Sequence, residues 1–295
     1  MITFRYGIDR LTPGLALDIS RGKIKGELTR EAADSILKNR ADVEAIVAGN
    51  KTVYGINTGF GPLCTTLISD EDTRKLQHNL LLSHAVGVGD PIPEEIGRLM
   101  LILKVHSLAM GYSGISMETI NRILWHIENH VTPCVPSQGS VGASGDLAPL
   151  AHLFLPLIGH GTVLYQGAVV PAKEMLVSCG LSPLEPGPKE GLALINGTQF
   201  IAAHAVKFME QFQQCLDNAD IIAAMNLEAM LGSVKAFDPA LHELRPYEGS
   251  IYVASRMSKL TDNSEIVESH RNCHRVQDPY SLRCIPQVHG ASRNA

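Results

Sequence analysis

Hydrophobic and polar residues follow a helical period along most of this chain. Between Leu28 and Gly49 the apolar residues recur three or four positions apart, which is typical of a helix with one buried face. Similar spacing predicts further helices over residues 71–86, 93–112, 116–130 and 146–158. Pro133 and Pro136 interrupt the pattern, because proline cannot donate the backbone hydrogen bond that a helix interior requires.

The longest periodic segment runs from about Thr198 to Leu231. A helix of about 30 residues spans about 45 Å, and helices of this length are typical of bundles. We therefore expect it to pack within a bundle through its apolar stripe. That stripe comprises Ile201, Ala205, Phe208, Phe212, Leu216, Ala219 and Ala223.

Residues 161–171 alternate weakly around a Gln166-Gly167 turn, which predicts a short surface hairpin. No other segment is predicted to form a strand. The predicted fold class is therefore mainly α, with an N-terminal helical domain that includes the hairpin (1–197), followed by the beginning of a long-helix bundle (198–295). The final segment, QVHGASRNA, has neither a capping signal nor a polar tail, so we expect the chain to be truncated.

Composition and charge narrow the classes of function. The chain has 295 residues, 45% of them hydrophobic, which is enough to bury a substantial core. Its net charge of −5 and pI near 6.2 leave no basic stripe for nucleic acid or anionic lipid. The N-terminus lacks a cationic region followed by a long apolar one, and no later apolar run could span a bilayer. We therefore expect a cytoplasmic protein that acts on a small molecule or associates with other proteins.

A glycine-rich loop from Gly139 to Gly145 contains the most distinctive pattern of the chain. A phosphate-binding loop would require a lysine after its last glycine, and none is present. The nucleophile elbow of a serine hydrolase would require GxSxG after a strand, whereas the spacing from Gly142 to Ser144 and Gly145 is one residue short. A further interpretation is an ordinary helix entry with Asp146 as the N-cap.

The same loop also suits an internal cyclisation. The amide nitrogen of Gly145 would attack the carbonyl carbon of Ala143, and two waters would leave, one of them carrying the Ser144 hydroxyl. Ala143 adds little bulk beside the attacked carbonyl, and Gly145 presents its nitrogen without a Cβ in the way. The product, a methylidene-imidazolone, is a strong electrophile that acts as a built-in cofactor.

The segment GSVGASGDLAPLAH (139–152) resembles the signature of the histidine and phenylalanine ammonia-lyase family. The chain is therefore identified as an N-terminal portion of an aromatic amino acid ammonia-lyase, closest to the histidine enzymes. The resemblance implies a helical domain that bears a methylidene-imidazolone formed from Ala143, Ser144 and Gly145, with no metal or external cofactor. Four further stretches are similar to the family: TVYGINTGFG (52–61), LLSHAVGVG (81–89), EGLALINGTQ (190–199) and RVQDPYSLRCIPQVHGA (275–291).

The resemblance also implies roles for residues outside the loop. Tyr54, which by itself is more typical of a core tyrosine beside a glycine-rich turn, is expected to remove the β-proton of the substrate. Asn196, which the local pattern explains as a turn residue, is expected to hydrogen-bond the substrate carboxylate or the imidazolone oxygen. Arg283, otherwise a surface cation, is expected to bind the α-carboxylate with its planar guanidinium. Tyr280 is expected to add a second catalytic hydroxyl, and Gln277 a polar contact with the substrate.

His84 bears on the choice of substrate. A single histidine on an apolar helix is more often a hydrogen-bonded core residue than part of a site. In the family this position faces the substrate ring: Ser83-His84 resembles the histidine enzymes, tyrosine enzymes also have a histidine there, and phenylalanine enzymes tend to have apolar residues. The expected reaction is therefore the elimination of ammonia from L-histidine to give trans-urocanate, with tyrosine as the alternative substrate.

The segment HRNCH offers another kind of site. His270, Cys273 and His274 could place metal ligands on one helical face, as in a zinc site. A fourth ligand is not obvious at a suitable spacing, with Cys284 and His289 as the nearest candidates. The resemblance requires no metal here, so we expect none.

The resemblance implies an assembly as well as a reaction. Family members are homotetramers whose sites combine several chains, and full-length members continue well past residue 295. We therefore expect a homo-oligomer, and we expect the truncated chain itself to be inactive, with its loop left uncyclised. Two classes of function stay open: a lyase or part of one, and a non-catalytic remnant that folds and self-associates.

Overall fold

The computed structural model describes residues 3–49, 52–58, 69–140 and 142–295. Contacts divide the chain into two compact units, Met1–Lys207 and Phe208–Ala295. The mainly α class is confirmed, because helices dominate both units. The domain boundary predicted after residue 197 stays a prediction. None of the helices described is both long and apolar enough to cross a bilayer.

Several helices of the first unit begin where the sequence supplies a capping side chain. Thr12, Thr29, Ser69 and Ser116 each accept the N–H of the residue three positions on, which fixes four helix starts. The helices predicted from apolar spacing are confirmed, with ends that differ by a few residues. The helices are α1 (Pro13–Ser20), α2 (Arg30–Ala48), α3 (Asp70–His84), α4 (Glu94–Ala109), α5 (Met117–Glu128), α6 (Leu147–Phe154), α7 (Ala172–Ser178), α8 (Glu190–Ile195) and α9 (Gln199–Ala229), which continues into the second unit, with a 3-10 helix at Leu155–Ile158.

The strands of the first unit are two to four residues long. They are β1 (Thr3–Arg5), β2 (Lys25–Glu27), β3 (Val88–Pro91), β4 (Thr132–Pro133), β5 (Pro136–Gln138), β6 (Thr162–Tyr165) and β7 (Ala168–Pro171). β1 pairs with β2 in parallel, β3 pairs with β5 antiparallel, and β6 lies between β4 and β7. The predicted hairpin is confirmed as β6 and β7, joined by Gln166 and Gly167 at positive φ. The expectation of no further strands was wrong, because such short segments do not show an alternating pattern.

Helix α4 lies at the centre of the first unit's core. It packs against α1, α2, α5 and α6, and the same apolar cluster includes residues of α3 and α8. Two cations, Arg98 and Lys104, are also buried on this helix. Because close-packed interiors move little, side chains of α4 can hold neighbouring loops in fixed positions. Its buried apolar residues include Ile96, Leu99, Met100, Leu101, Ile102, Val105 and Leu108.

The second unit combines residues 208–229 of α9 with a pair of helices that pack on each other. Its other helices are α10 (Pro239–Glu243), α11 (Glu248–Leu260), α12 (Glu265–Ser269), α13 (Tyr280–Arg283) and α14 (Ile285–Asn294), with a 3-10 helix at Val234–Phe237. α11 packs along α14, and the core of the unit includes Phe237, Val253 and Met257. The buried Asp220 of α9 accepts hydrogen bonds from His289 (2.8 Å) and Arg293 (2.6 Å), which ties α14 to α9.

The apolar stripe predicted for α9 is largely uncovered. Ile201 is 45% exposed, Phe208 60% and Phe212 38%. The helical period was predicted correctly, but α9 has apolar residues on its exposed side as well as on its buried side. We call the exposed residues Phe208, Phe212 and Ile222 the α9 face. The buried positions of this helix include Ala203, Val206, Asp220, Ala224 and Leu227.

His126 of α5 should make stability depend on pH. Its ring is buried, Nδ1 lies 3.3 Å from the carbonyl oxygen of Val131, and burial lowers the pKa of His126 from 6.5 to about 4. Between these two values the unfolded chain takes up a proton that the folded chain does not bind. The free energy of unfolding therefore falls as the pH falls through this window, by about 3 kcal/mol in total.

Urea unfolding at a series of pH values measures this effect. His126→Gln keeps a donor for Val131 but cannot titrate, so its stability should vary less with pH across the window. His130→Asn removes an exposed histidine just after the same helix and supplies a residue that tolerates positive φ, so it should behave like the wild type. If the free energy of unfolding varied equally with pH in the wild type and in His126→Gln, the account would be contradicted.

Candidate functional site

The glycine-rich loop connects β5 to α6 and closes into a tight turn. The N–H of Gly142 donates to the carbonyl oxygen of Gly145 over 3.1 Å, and the N–H of Gly145 donates to that of Gly142 over 2.9 Å. Ala143 and Ser144 therefore lie at the tip of the turn, where both are exposed. Strand β5 ends well before Ser144, so the serine does not occupy the strand-to-helix elbow of a hydrolase. Val141 lies outside the described residues.

A close backbone contact joins Gly145 to Gly197. Gly145 has a φ of +86°, and a Cβ at this residue would overlap the carbonyl oxygen of Gly197. The N–H of Asp146 donates to that same oxygen over 2.8 Å. Only glycine therefore suits position 145, on both conformational and steric grounds. The contact fixes the end of the turn against the segment that leads into α9.

The carboxylate of Asp146 reaches from the loop to the first turn of α9. The residue is 0% exposed, and its Oδ2 accepts the N–H groups of Phe200 (2.9 Å) and Ile201 (3.1 Å). A negative charge at this end also suits the helix dipole. Asp146 is the N-cap residue of α6, as the helix-entry interpretation expected, but its side chain does not cap this helix. Oγ of Ser140 accepts the N–H of Ala148 instead, over 3.1 Å.

The loop residues fit the methylidene-imidazolone that the sequence predicts. The tip of the turn carries only small side chains, and Gly145 has no Cβ beside its nitrogen. Oδ1 of Asp146 is buried without a hydrogen-bond partner among the residues that the structure describes. This oxygen is therefore a hydrogen-bond acceptor that lies directly after the turn. These features suit a compact ring made from Ala143, Ser144 and Gly145.

Asn196 is connected to the loop through its backbone. It follows α8 and precedes Gly197, so it lies one residue from the contact with Gly145. Its carbonyl oxygen accepts a hydrogen bond of 2.6 Å from Nζ of Lys104, and its exposed side chain donates to Leu192 over 3.3 Å. Lys104 is not among the sequence-based candidates. A lone charge within the apolar run LMLILKVHSLAM was a usable signal for it.

Tyr54 lies on a turn formed by residues 54–57. Oδ1 of Asn57 accepts the N–H of Val53 over 2.8 Å, which closes the turn around Tyr54. The Tyr54 residue is 59% exposed, so it is not the core tyrosine of the alternative interpretation. Gly59 and Gly61 of the predicted glycine-rich turn are not among the described residues.

His84 is the last residue of α3 and is half-buried. Its Nδ1 lies 2.9 Å from the carbonyl oxygen of Leu80, which can only accept, so in the neutral ring Nδ1 carries the proton and Nε2 is an acceptor. The turn that follows is held by His152 of α6, whose Nε2 accepts the N–H of Gly87 over 3.0 Å. Burial lowers the pKa of His152, which favours the neutral ring that this bond requires. His152 thus links the turn after His84 to the helix that follows the loop.

The remaining candidates lie together in the second unit. Gln277 and Arg283 line a cavity of about 430 Å³, and Tyr280 is 74% exposed. The guanidinium of Arg283 lies 4.5 Å from the centre of the Tyr280 ring, and its Nε donates to the carbonyl oxygen of Asp278 over 2.7 Å. The buried Asp278 carboxylate accepts the N–H of Ser233 over 2.6 Å, which anchors the segment. These contacts hold the guanidinium of Arg283 against the backbone and a ring of its own segment.

The segment HRNCH does not form the helical face that the zinc interpretation assumed. Helix α12 ends at Ser269. His270 follows it in a turn and is half-buried, whereas Cys273 and His274 lie in the irregular segment beyond and are exposed. Within the described part of the chain, no three His, Cys, Asp or Glu residues are grouped so as to hold a metal ion.

The comparisons with known sequences identify similar proteins over nearly the whole chain. The family model described as aromatic amino acid lyase matches residues 11–295. The histidine ammonia-lyase of Myxococcus xanthus (strain DK1622) is 49% identical over 94% of this chain and 54% of its own length. The histidine ammonia-lyase of Salmonella typhi is 48% identical over 95% of this chain and 57% of its own length. The chain thus spans about half the length of the curated relatives it matches.

Solved structures share the helical architecture. The histidine ammonia-lyase from Trypanosoma cruzi is 37% identical with a TM-score of 0.85, over 99% of this chain and 54% of that chain. The tyrosine aminomutase from Streptomyces globisporus is 30% identical with a TM-score of 0.89, over 99% of this chain and 59% of that chain.

Proposed function

Since this chain belongs to the aromatic amino acid lyase family, we propose that it is the prosthetic-group-bearing part of a histidine ammonia-lyase. The reaction is the elimination of ammonia from L-histidine, which gives trans-urocanate. The observation that carries the proposal is the turn at Ala143–Gly145, held against Gly197 by a contact that only glycine permits. Identities of 49% and 48% to two curated histidine ammonia-lyases favour histidine as the substrate.

The chain's own backbone would form the electrophile. The amide nitrogen of Gly145 bonds to the carbonyl carbon of Ala143, whose oxygen leaves as water with the amide hydrogens of Ser144 and Gly145. The Ser144 hydroxyl then leaves as a second water with the α-hydrogen of the same residue, so that the Cα–Cβ bond becomes double. The ring supplies an electrophile that no unmodified side chain provides. All the contacts that hold the turn lie within the first unit, so we expect cyclisation in this chain, in contrast to the expectation drawn from truncation.

The other candidates would bind and deprotonate the substrate in the assembled enzyme. Tyr54 takes the β-proton, the Cα–N bond breaks so that the amine leaves as ammonia, and a carbon–carbon double bond forms. Arg283 binds the α-carboxylate through its two terminal nitrogens, because its Nε is already used by the backbone. Asn196 donates its side-chain amide to the same carboxylate or to the imidazolone oxygen. Tyr280 adds a hydroxyl to the site.

His84 favours histidine and leaves tyrosine as the second candidate. With Nδ1 bound to Leu80, its Nε2 is an acceptor that can take a hydrogen bond from the N–H of an imidazole. The phenol of tyrosine can donate to the same nitrogen, which is why this one side chain does not exclude it. Gln277 lines the cavity beside Arg283, where it adds a polar contact with the substrate.

The α9 face supports a homo-oligomer. The rings of Phe208 and Phe212 stack with centroids 5.6 Å apart, and both are exposed together with Ile222. Exposed apolar side chains grouped on one helix face are typical of association sites in water. We therefore infer that copies of the chain associate through the α9 face.

Sedimentation velocity at micromolar concentrations measures this association. The wild type should sediment as an oligomer, and Phe212→Glu should shift it towards the monomer, because a charge cannot be buried there without a partner. Gln214→Glu adds the same charge to an exposed position of the same helix outside the face and should leave the oligomer intact. A monomeric wild type would contradict the inference.

Intact mass spectrometry tests the proposed function at its first step. The measured mass of the wild type should be about 36 Da below the mass calculated from its sequence, which corresponds to the loss of two waters. Ser144→Ala removes the leaving hydroxyl and should show the full mass of its sequence. Ser140→Ala removes only the hydrogen bond to the start of α6, so it should still lose the waters. A wild type at full mass would overturn the proposal.

Turnover is a separate test, because the chain spans about half of its curated relatives. Ultraviolet absorbance of the conjugated acrylate is followed with L-histidine and with L-tyrosine, for the chain alone and for the chain joined to the remainder of the Myxococcus xanthus enzyme. We expect the joined protein to release product from histidine, and the chain alone to release little. A preference for tyrosine would replace the proposed substrate. If neither protein formed product, the result would favour the hypothesis that the chain is a non-catalytic remnant.

A further inference from the structure

Lys104 places an amine inside the apolar core of the first unit. It is 2% exposed, and the neighbouring residues of α4 are buried apolar side chains. Burial lowers the pKa of Lys104 to about 7, so the core disfavours its charged form. A methionine of similar length would be more favourable at such a position. The amine is therefore better explained by the contact it makes than by a contribution to stability.

The contact is with the backbone between α8 and α9. Nζ of Lys104 donates to the carbonyl oxygen of Asn196 over 2.6 Å. The next carbonyl along the chain, that of Gly197, lies against Cα of Gly145 and accepts the N–H of Asp146 over 2.8 Å. One amine from the central helix thus lies a single residue from the contact that holds the loop.

The connecting segment needs such an anchor, because it contains a glycine in an unusual conformation. Gly197 has a φ of +148°, a region that is open to glycine and costs it conformational entropy. Beyond this residue, Asp146 holds the first turn of α9 through the N–H groups of Phe200 and Ile201. Before it, Lys104 holds the carbonyl of Asn196. The segment is therefore fixed from both sides.

We propose that Lys104 is a positioning residue for ring formation: its hydrogen bond to Asn196 fixes the carbonyl of Gly197, which holds Gly145 in the conformation required for cyclisation. The inference rests on the proposed function, because it concerns the same loop. Lys104 does not contact the atoms that react. It acts through the backbone between α8 and α9.

Arg98 provides a matched control on the same helix. It is also buried on α4, and its Nε donates to a backbone carbonyl, that of Ser20 at the end of α1, over 2.9 Å. Arg98→Met and Lys104→Met each remove one buried cation and one bond to a carbonyl. Only Lys104→Met removes a contact with the segment that holds the loop.

Cyclisation is followed by intact mass as a function of time after cell-free synthesis of the whole chain. We expect Lys104→Met to lose the two waters at least about tenfold more slowly than the wild type, because a misplaced reacting group costs rate steeply. Its thermal unfolding midpoint should stay the same or rise. Arg98→Met should cyclise at the wild-type rate, and Lys104→Arg, which keeps a donor, should recover part of the loss.

Amide hydrogen exchange supplies a readout that does not depend on ring formation. The N–H of Asp146 should exchange faster in Lys104→Met than in the wild type, because its acceptor on Gly197 is less firmly held, whereas Arg98→Met should leave it unchanged. The proposal is overturned if Lys104→Met cyclises at the wild-type rate, or if Arg98→Met is slowed equally. If the wild type never loses water, the proposed function fails. In that case the exchange of the Asp146 N–H still tests Lys104: an exchange rate in Lys104→Met equal to that of the wild type would overturn the role of Lys104 independently.

Discussion

The contact between Gly145 and Gly197 is the constraint on which the site depends. The carbonyl oxygen of Gly197 occupies the space of a Cβ at residue 145, and this residue is held at positive φ. The turn from Gly142 then closes with Ala143 and Ser144 at its exposed tip. The loop is thus shaped by a segment far away in sequence as well as by its own small residues.

Two buried polar groups, Asp146 and Lys104, stabilise this contact. The carboxylate of Asp146 lies at the start of α9, where the helix dipole favours a negative charge. The amine of Lys104 donates to the carbonyl of Asn196 at the end of α8. The apolar packing around α4 keeps the lysine in place. Polar contacts and apolar packing therefore both stabilise the backbone between α8 and the first turn of α9.

The sequence predicted the long helices well, because their apolar spacing is a local signal. The caps that the structure shows at Thr29 and Ser116 are local as well. It also identified the loop from small residues at close spacing. It did not predict the target of the Asp146 side chain or the hydrogen bond of Lys104, because both are contacts between residues distant in the chain. The exposure of the stripe at Phe208 was missed for a related reason, since periodicity shows which residues share a face but not whether anything covers it.

The most direct test of the central contact compares two glycines of the same turn. Gly145→Ala places a Cβ against the carbonyl of Gly197, whereas a Cβ at Gly142 would meet nothing within 4 Å. The intact masses of the two variants, measured beside the wild type, decide the matter. The account predicts that Gly142→Ala loses two waters like the wild type and that Gly145→Ala keeps its full mass. Complete loss of both waters in Gly145→Ala would contradict it.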